Sequence, residues 1–589
     1  MTASSRVYPI ANIVLPGTNN PATPDLCVHI DKNKWHFNTW MNTFAAKKYY
    51  QYCEIGKLYL NLQAKGRYRL EVIGSKRTHT VPREDFILRS QEITDSTCVE
   101  IPEANEYDGL YFSIITNPQE SFQFISGAWC TDTPPPRQNK LAIITCTFKR
   151  EEHISRNVAL LEQFLQDTPE VSERIKLLIV DNGRTLPDTI KSNHVELYPN
   201  INAGGAGGFA RGLIEARRSN SGYTRVLLMD DDVEVSPESF YRTLVIADYL
   251  KHEYKSAFIN GAMMDLYQKN RFFENLAVQN GLWVHSYHAA CNLSYDNVLK
   301  VNDIPEEVFH NPDCKAAGAW WYCCFELELV REKGYPLPIF IRADDLEWGW
   351  RNFGKTHLAI NGICIWHAPF MYRVSKATEY YYIPRNMFMI QSIYTPSFKS
   401  WWKNRYQTFR KYLTQTYNYA ALEMFTMALQ DILKGDAAFY ENPDEQMQRI
   451  SKADRASIWK PCENAQEMHN ALHPRPFKVR KIRKFLYNLT YKGQFCPLAF
   501  MKPERSVIDW FPPERAFTMV RKVKVYNPLK NQYEERKFDR AKHYYYKKTL
   551  KRLIDEIDQK YDELSANFRK AHSELTSEEF WKKYLNLND

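Results

Sequence analysis

Val226-Leu-Leu-Met-Asp230-Asp231-Asp232 is an apolar run that stops on three carboxylates. Two runs of the same kind precede it, Leu141-Ala-Ile-Ile144 and Lys176-Leu-Leu-Ile-Val180, with a helical pattern around Val158–Phe164 between them. Unbroken apolar runs of this length suit strands buried on both faces, the condition of a parallel sheet. Alternation with a helical pattern predicts an α/β domain, where ligands gather at the carboxyl ends of strands. Three adjacent carboxylates repel one another, so a bare core does not favour them and a hard divalent cation relieves them. Mg2+ or Mn2+ takes one or two protein carboxylates together with phosphate oxygens. In an extended segment Asp230 and Asp232 project to the same side. The structural alternative has these acids capping the helix signalled by Ser236-Pro237-Glu238.

Working outward, Asn202-Ala-Gly-Gly-Ala-Gly-Gly-Phe-Ala-Arg211 reads as a glycine-rich turn entering a helix. Glycines let backbone amides approach a phosphate or a sugar, and a helix N-terminus favours anions. Gly205-Ala-Gly207-Gly-Phe-Ala210 also satisfies the dinucleotide fingerprint in form. It comes two strands into the α/β unit, and an Asp triplet follows it, so hydride chemistry with NAD is the weaker rival. Arg342-Ala-Asp344-Asp345-Leu-Glu347-Trp-Gly-Trp350 places a second carboxylate pair before an aromatic helix start. One acid of such a pair serves as a general base when its neighbour raises its pKa. Ile363-Cys-Ile-Trp-His367 ends a further apolar strand on a histidine, a candidate metal ligand.

Length alone, 589 residues, implies three or four domains. Residues 1–135 carry short alternating runs such as Leu58-Tyr-Leu-Asn-Leu62 and Tyr68-Arg-Leu-Glu-Val72, with turn-formers between them, and read as a β-rich domain. Thr133-Pro-Pro-Pro136 is a stiff linker. Residues 136–398 form the α/β domain, and residues 399–589 are mainly helical in pattern. Within the last region Leu550, Leu553, Ile554, Ile557, Tyr561, Leu564 and Phe568 keep helical spacing, a stripe expected to pack on this protein or on a sister subunit.

Charge is concentrated. Residues 451–550 hold 23 Lys/Arg against 9 Asp/Glu in a chain whose net charge is +9, so the remainder is mildly acidic. Lys478-Val-Arg-Lys-Ile-Arg-Lys484 and Arg521-Lys-Val-Lys524 suit an anionic membrane surface. No recognised nucleic-acid-binding module accompanies them, so nucleic acid is not expected. The first seventeen residues lack a basic segment followed by an apolar run, and no apolar stretch reaches about 18 residues, so neither signal peptide nor spanning helix is expected. The 12 cysteines are scattered without a C-x-x-C pair, as free thiols in a reducing cytosol are, and zinc is not expected.

Thr145-Cys-Thr-Phe-Lys-Arg150, then Asp181-Asn182-Gly183, then the Asp triplet resemble the family 2 glycosyltransferases of GT-A fold. The closer resemblance is to the UDP-galactofuranosyltransferases, the group of the mycobacterial galactan polymerase. It is carried by Asn202-Ala-Gly-Gly-Ala-Gly-Gly-Phe209, Ala319-Trp320-Trp321, Asp344-Asp345 and Trp366-His367. Phe37-Asn-Thr-Trp-Met-Asn-Thr-Phe44 and Gly66-Arg-Tyr-Arg-Leu-Glu-Val72 add to it outside the catalytic fold. The resemblance implies an α/β GT-A core, the Rossmann-like nucleotide-diphospho-sugar transferase fold, with an N-terminal β-sandwich and a helical C-terminal region. It implies Mn2+ or Mg2+ on Asp230, Asp232 and His367, with Asp345 as the base and Asp344 supporting it. Glu274 and Trp321 would meet sugar, Trp320 and Asp231 would border the substrate, and Phe148, Arg150, Asn182 and Asn202 would line the nucleotide pocket. A UDP-galactofuranose donor and a glycan acceptor carried on lipid follow from the same resemblance, while the apolar stripe suits homo-oligomers and the scattered thiols and basic region suit a cytoplasmic enzyme on the inner face of the plasma membrane. The alternatives are another UDP-sugar donor, a hexopyranose or deoxysugar, and a non-catalytic glycan-binding relative.

Overall fold

The computed structural model describes residues 6–17, 20–77, 83–280, 283–286, 288–294, 297–304, 307–311, 314–370, 375–454, 459–462, 485, 489–490, 496–508, 512–527 and 530–587. They fall into two compact units, Met1–Pro336 with Asp345–Pro369 and Trp581–Asp589, and Leu337–Asp344 with Phe370–Phe580. The expected run at residues 478–484 lies outside the described residues.

The first unit begins with two antiparallel sheets. One holds Tyr8–Asn12, Gln123–Thr131, Leu58–Lys65 and Thr97–Ile101 in that spatial order. The other holds His29–Asp31, Lys34–His36, Gly109–Thr116, Arg67–Lys76 and Glu84–Thr94. Alternation sets their faces: Leu58, Leu60, Leu62 and Ala64 are buried while Gln63 and Lys65 are exposed. Thr133-Pro-Pro-Pro136 then leads into the α/β sheet, and both parts belong to one unit. Buried polar groups join them. Glu238 accepts from the Asn12 backbone N–H at 2.8 Å and the Asn12 amide at 3.0 Å, and Arg242 donates to Glu238 and to the Asn12 carbonyl, each at 2.8 Å. Asn361 donates to the Trp40 carbonyl at 3.1 Å. Lys48 reaches the carbonyls of Asn302 and Ala359, the latter at 2.7 Å. Burial pushes this ammonium down to about 8.

The α/β part runs β1 (Leu141–Thr147), α1 (Glu151–Asp167), β2 (Ile175–Asp181), β3 (Val195–Pro199), α2 (Gly204–Arg218), β4 (Arg225–Asp230), β5 (Glu234–Val235), α3 (Pro237–Tyr249), β6 (Phe258–Asp265), β7 (Arg271–Glu274), β8 (Cys291–Asn292), β9 (Cys323–Glu326), α4 (Asp344–Arg351) and β10 (His357–His367). The three apolar runs are β1, β2 and β4. The ten-stranded sheet has the order β3-β2-β1-β4-β9-β6-β7-β8, with β10 paired to β6 and to β5. β1 to β4 are mutually parallel, β10 lies parallel to β6, and β9 is antiparallel to both of its neighbours. The glycine run enters a helix as expected, with Gly204 at φ +70° at its start and Gly205 to Gly208 in the first turns of α2. Close packing makes a second demand for glycine here. A Cβ on Gly208 would stand 2.0 Å from the Cys146 sulfur, and one on Gly212 would stand 2.2 Å from Ile144 Cγ2.

The second unit is mainly helical, with Ile383–Tyr394, Trp402–Gln415, Tyr419–Leu433, Pro443–Asp454, Arg540–Gln559 and Tyr561–Leu575 as its longer helices. The apolar stripe from Leu550 to Phe568 is buried inside this unit, where Tyr561 meets Phe388 edge-on and Phe568 meets Phe439. It also holds a four-stranded sheet, Trp459–Pro461, Gln532–Lys537, Val520–Asn527 and Lys502–Ile508, which the helical reading did not anticipate. The basic segment Arg521–Lys524 is one strand of that sheet. Lys522 pairs with Glu504 and Glu535, and Lys524 pairs with Glu504, so two of its cations already have carboxylate partners. Among the described residues no helix is long and apolar enough to cross a membrane. All 12 cysteines are free thiols.

Candidate active site

β1, β2 and β4 end level with one another, with Cys146 opposite Asp230 and Thr147 opposite Asp181. The chain moves outward from β1 to β2 and β3, then returns past β1 to β4. Such a reversal is where open α/β sheets place their ligands.

Beyond Asp230 the strand breaks into a turn. The next two residues to regain strand pairing are Glu234 and Val235, which lie opposite Trp366 and Ile365 at the end of β10. This short ladder carries the Asp triplet across the sheet to His367, which terminates β10. One ligand atom from each of Asp230, Asp232 and His367 falls within 4.8 Å of the others. His367 Nε2 is 3.3 Å from Asp232 Oδ1 and 4.0 Å from Asp230 Oδ2. Two hard carboxylate oxygens and an imidazole nitrogen form a donor set that suits a divalent cation such as Mn2+ or Mg2+. Helix α3 has Ser236, not an aspartate of the triplet, at its N-cap.

Asp231 faces the other way. Its carboxylate accepts from the Thr147 hydroxyl at 2.7 Å, and its carbonyl accepts from the Asn157 amide at 3.1 Å. Burial, and then the Asp232 charge, push its carboxyl up to about 7, while the Thr147 hydrogen bond opposes them. Arg150, directly before α1, lays its guanidinium against the same acids: Nη1 is 2.7 Å from Asp232 Oδ2, and Nε is 3.9 Å from Asp231 Oδ2. Phe148 is 41% exposed, a ring left open at the strand end.

Asn182 is buried, and its amide donates to the Gly204 carbonyl at 3.0 Å while its oxygen accepts from Asn200 at 2.9 Å. It thus ties the segment after β2 to the start of α2. Asn202 accepts from the Gly204 N–H at 3.3 Å. Asp181 accepts from the N–H groups of Gly183, Thr185 and Leu186 at 2.7–2.9 Å, which shapes that turn. Trp320 and Trp321 precede β9. Trp321 donates to the Gly261 carbonyl at 3.0 Å, and Trp320 meets Phe209 of α2 edge-on at 5.2 Å.

Glu274 ends β7. Burial, reinforced by the Asp345 charge, pushes its carboxyl up to about 7. Asp345 Oδ1 accepts from the following N–H of Leu346 at 2.8 Å. The boundary between the two units falls between Asp344 and Asp345. Before it, in the second unit, Phe340, Arg342 and Ala343 have φ of +69°, +70° and +66°, an uncommon run for residues with side chains. Asn386 clamps this run, donating to the carbonyls of Ile339, Ile341 and Arg342 at 2.9–3.0 Å. A single asparagine inside a helix gives no sequence signal for such a role.

No protein-family profile matches the chain. Galactofuranosyltransferase GlfT2 of Mycobacterium tuberculosis (strain ATCC 25618 / H37Rv) is 25% identical to it over 511 residues, 80% of this chain and 77% of that protein. The chain is thus similar to a galactofuranosyltransferase over most of its length. GlfT2 of Mycolicibacterium smegmatis (strain ATCC 700084 / mc(2)155) is 26% identical over 356 residues, 56% of this chain and 53% of that protein. The 511 aligned residues exceed the α/β part alone, so the likeness to the galactofuranosyltransferases extends into the flanking regions. A solved structure of the Clostridium thermocellum xylanase Xyn10B modules covers 21% of this chain and 25% of its own at 10% identity, with a TM-score of 0.11, too slight a likeness to bear on the fold.

Proposed function

We propose that the chain is an inverting, metal-dependent glycosyltransferase that moves galactofuranose from UDP-galactofuranose to a glycan acceptor in the synthesis of a cell-wall or surface galactan. The observation that carries this reading is the convergence of Asp230, Asp232 and His367 at a strand-end crevice, in a chain similar to two galactofuranosyltransferases. The fold that goes with it is a GT-A core behind an N-terminal β-sandwich.

Asp230, Asp232 and His367 would hold Mn2+ or Mg2+, which when bound supplies Lewis-acid stabilisation of the charge on the departing UDP. The protein's own groups do the rest. The open ring of Phe148 offers a stacking face to the uracil, and the Arg150 guanidinium offers paired N–H donors to diphosphate oxygens. Asn202 borders the same pocket. Trp320, Trp321 and Glu274 would orient the furanose ring and its hydroxyls. Asp345 accepts the proton of the acceptor hydroxyl as that oxygen attacks the anomeric carbon, and Asp344 supports the Asp345 carboxylate. Attack opposite the leaving UDP inverts the centre in one displacement, and fixing both partners supplies much of the rate.

Release of UDP from a panel of UDP-sugars, with Mn2+ and with EDTA, tests the reading. Release that is fastest with UDP-galactofuranose, needs acceptor and vanishes in EDTA supports it. Faster release from a hexopyranose or deoxysugar donor replaces the sugar, and no release from any donor leaves a glycan-binding protein.

A further inference from the structure

Asp232 is asked to serve two cations. It is 4% exposed, and its two oxygens face different partners, His367 Nε2 at 3.3 Å from Oδ1 and Arg150 Nη1 at 2.7 Å from Oδ2. A divalent ion held by Asp230, Asp232 and His367 would sit beside the guanidinium that already neutralises Asp232. Like charges that close repel strongly in a partly dry site. An anion lying between them removes the conflict. A diphosphate is such an anion, with oxygens enough for the metal and for the planar fork of an arginine. The two buried groups, Asp232 and His367, are fixed at the ends of β4 and β10. The Arg150 side chain is 39% exposed at the start of α1, so it alone of the three has room to turn.

We infer that Arg150 is the counter-ion that couples metal binding to diphosphate binding: it holds Asp232 until a nucleotide diphosphate arrives, then transfers its hydrogen bonds to the phosphates. The consequence is an enzyme that binds the metal weakly alone and metal plus nucleotide tightly together. By linkage the nucleotide gains as much from the metal as the metal gains from the nucleotide. The inference rests on the proposed donor class for the identity of the anion, and on the ion-pair geometry for the rest. Arg150 thus positions Asp232 before the nucleotide binds and is a ligand of the diphosphate afterwards.

Mn2+ affinity, read from the spin-resonance signal of the free ion, tests it on the full chain with and without UDP. UDP is expected to tighten Mn2+ binding to the unsubstituted protein by roughly 5–150-fold, the usual span of a coupling free energy. Arg150→Gln should bind Mn2+ alone more tightly than the unsubstituted protein, about fivefold or more, with the UDP-induced gain reduced by the same factor. Arg150→Lys keeps the charge and should retain weak binding of the metal alone. Asp232→Asn supplies the blank, and circular dichroism confirms that each variant is folded. Equal or weaker binding of Mn2+ alone by folded Arg150→Gln would overturn the inference and leave Arg150 a simple phosphate ligand. If UDP fails to bind the unsubstituted protein, the donor reading falls, while the comparison of metal alone still decides the role of Arg150.

Discussion

A carboxyl that burial and a second carboxylate's charge push up to about 7 is a liability that can be measured. Glu274 in the folded protein binds its proton more tightly than an ordinary Glu, whose pKa is about 4.3. Between those two values the folded state keeps a proton that the unfolded chain has released, so stability falls as pH rises across that window. Glu274→Gln has no such proton to lose. Urea unfolding should show it gaining on the unsubstituted protein by about 1–3 kcal/mol between pH 5 and 8. Identical pH dependence of the two proteins would show that burial and Asp345 do not shift this group. At Asp345 the expectation concerns rate. Asp345→Asn should slow transfer roughly 10²–10⁴-fold, as loss of a general base does, with UDP affinity little changed. A far larger loss from Asp344→Asn would reverse the two roles. At this scale the sequence was informative where chemistry forces a residue type, as at Asp230-x-Asp232 and at a histidine ending a strand. It was silent where a role depends on a partner distant in the chain. Asn386 is an unremarked helix residue until its amide is seen clamping three carbonyls, and Arg150 shows its tie to Asp232 only in three dimensions.

Helix α2 depends on having no side chain where it crosses β1. The Cβ that Gly212 lacks would stand 2.2 Å from Ile144 Cγ2, so Gly212→Ala must move the helix or Ile144. Overpacking of this kind costs about 1–3 kcal/mol. Ile144→Ala in the same chain should recover part of that loss, giving a non-zero coupling in a double-mutant cycle followed by urea unfolding. Strict additivity of the two changes would mean that the helix does not rest on Ile144. The glycine run was legible as the entry to a helix, where Gly204 takes φ +70°, but the close approach at Gly208 was not, because sequence does not distinguish a glycine needed for a turn from one needed for close packing. The three apolar strands were legible because burial on both faces leaves an unbroken run. Strand β5 was not, since two residues carry no periodicity, yet its pairing with the end of β10 brings His367 to the aspartates. In Val520–Asn527 the buried Val520, Val523 and Val525 stand among Arg521, Lys522 and Lys524. The segment was read for its charge, because its valines keep no regular period of two.

Across the first unit the N-terminal sheets and the α/β sheet share buried charges. Arg242 is 3% exposed and links Glu238, the Asn12 carbonyl and the Asn361 carbonyl. Arg242→Met leaves the Glu238 carboxylate buried beside a methionine, a loss of about 3–5 kcal/mol for a broken buried pair. It should lower the denaturant midpoint of this unit, and an unchanged midpoint would mean that the two parts do not stabilise each other through Arg242. The basic region makes a separate expectation. Lys522 and Lys524 are held by Glu504 and Glu535, so we expect attachment to an anionic membrane to rest on the run at residues 478–484 rather than on these two lysines, at about 1 kcal/mol for each basic group near the surface. Replacing those lysines and arginines should abolish co-sedimentation with anionic liposomes at low salt, whereas Lys522→Gln with Lys524→Gln should not. The opposite pattern would place attachment on the strand. That the β-rich start and the helical end were legible reflects their periodic patterns. The buried ties between N-terminal and α/β sheets were not, because Asn12 and Glu238 stand 226 positions apart in the chain.

The most direct test incubates the protein with UDP-galactofuranose, Mn2+ and a galactofuranosyl disaccharide, and follows the acceptor by mass spectrometry. The account predicts a product one hexose heavier, absent in EDTA and absent with folded Asp232→Ala. The same product formed at full rate by Asp232→Ala would contradict it.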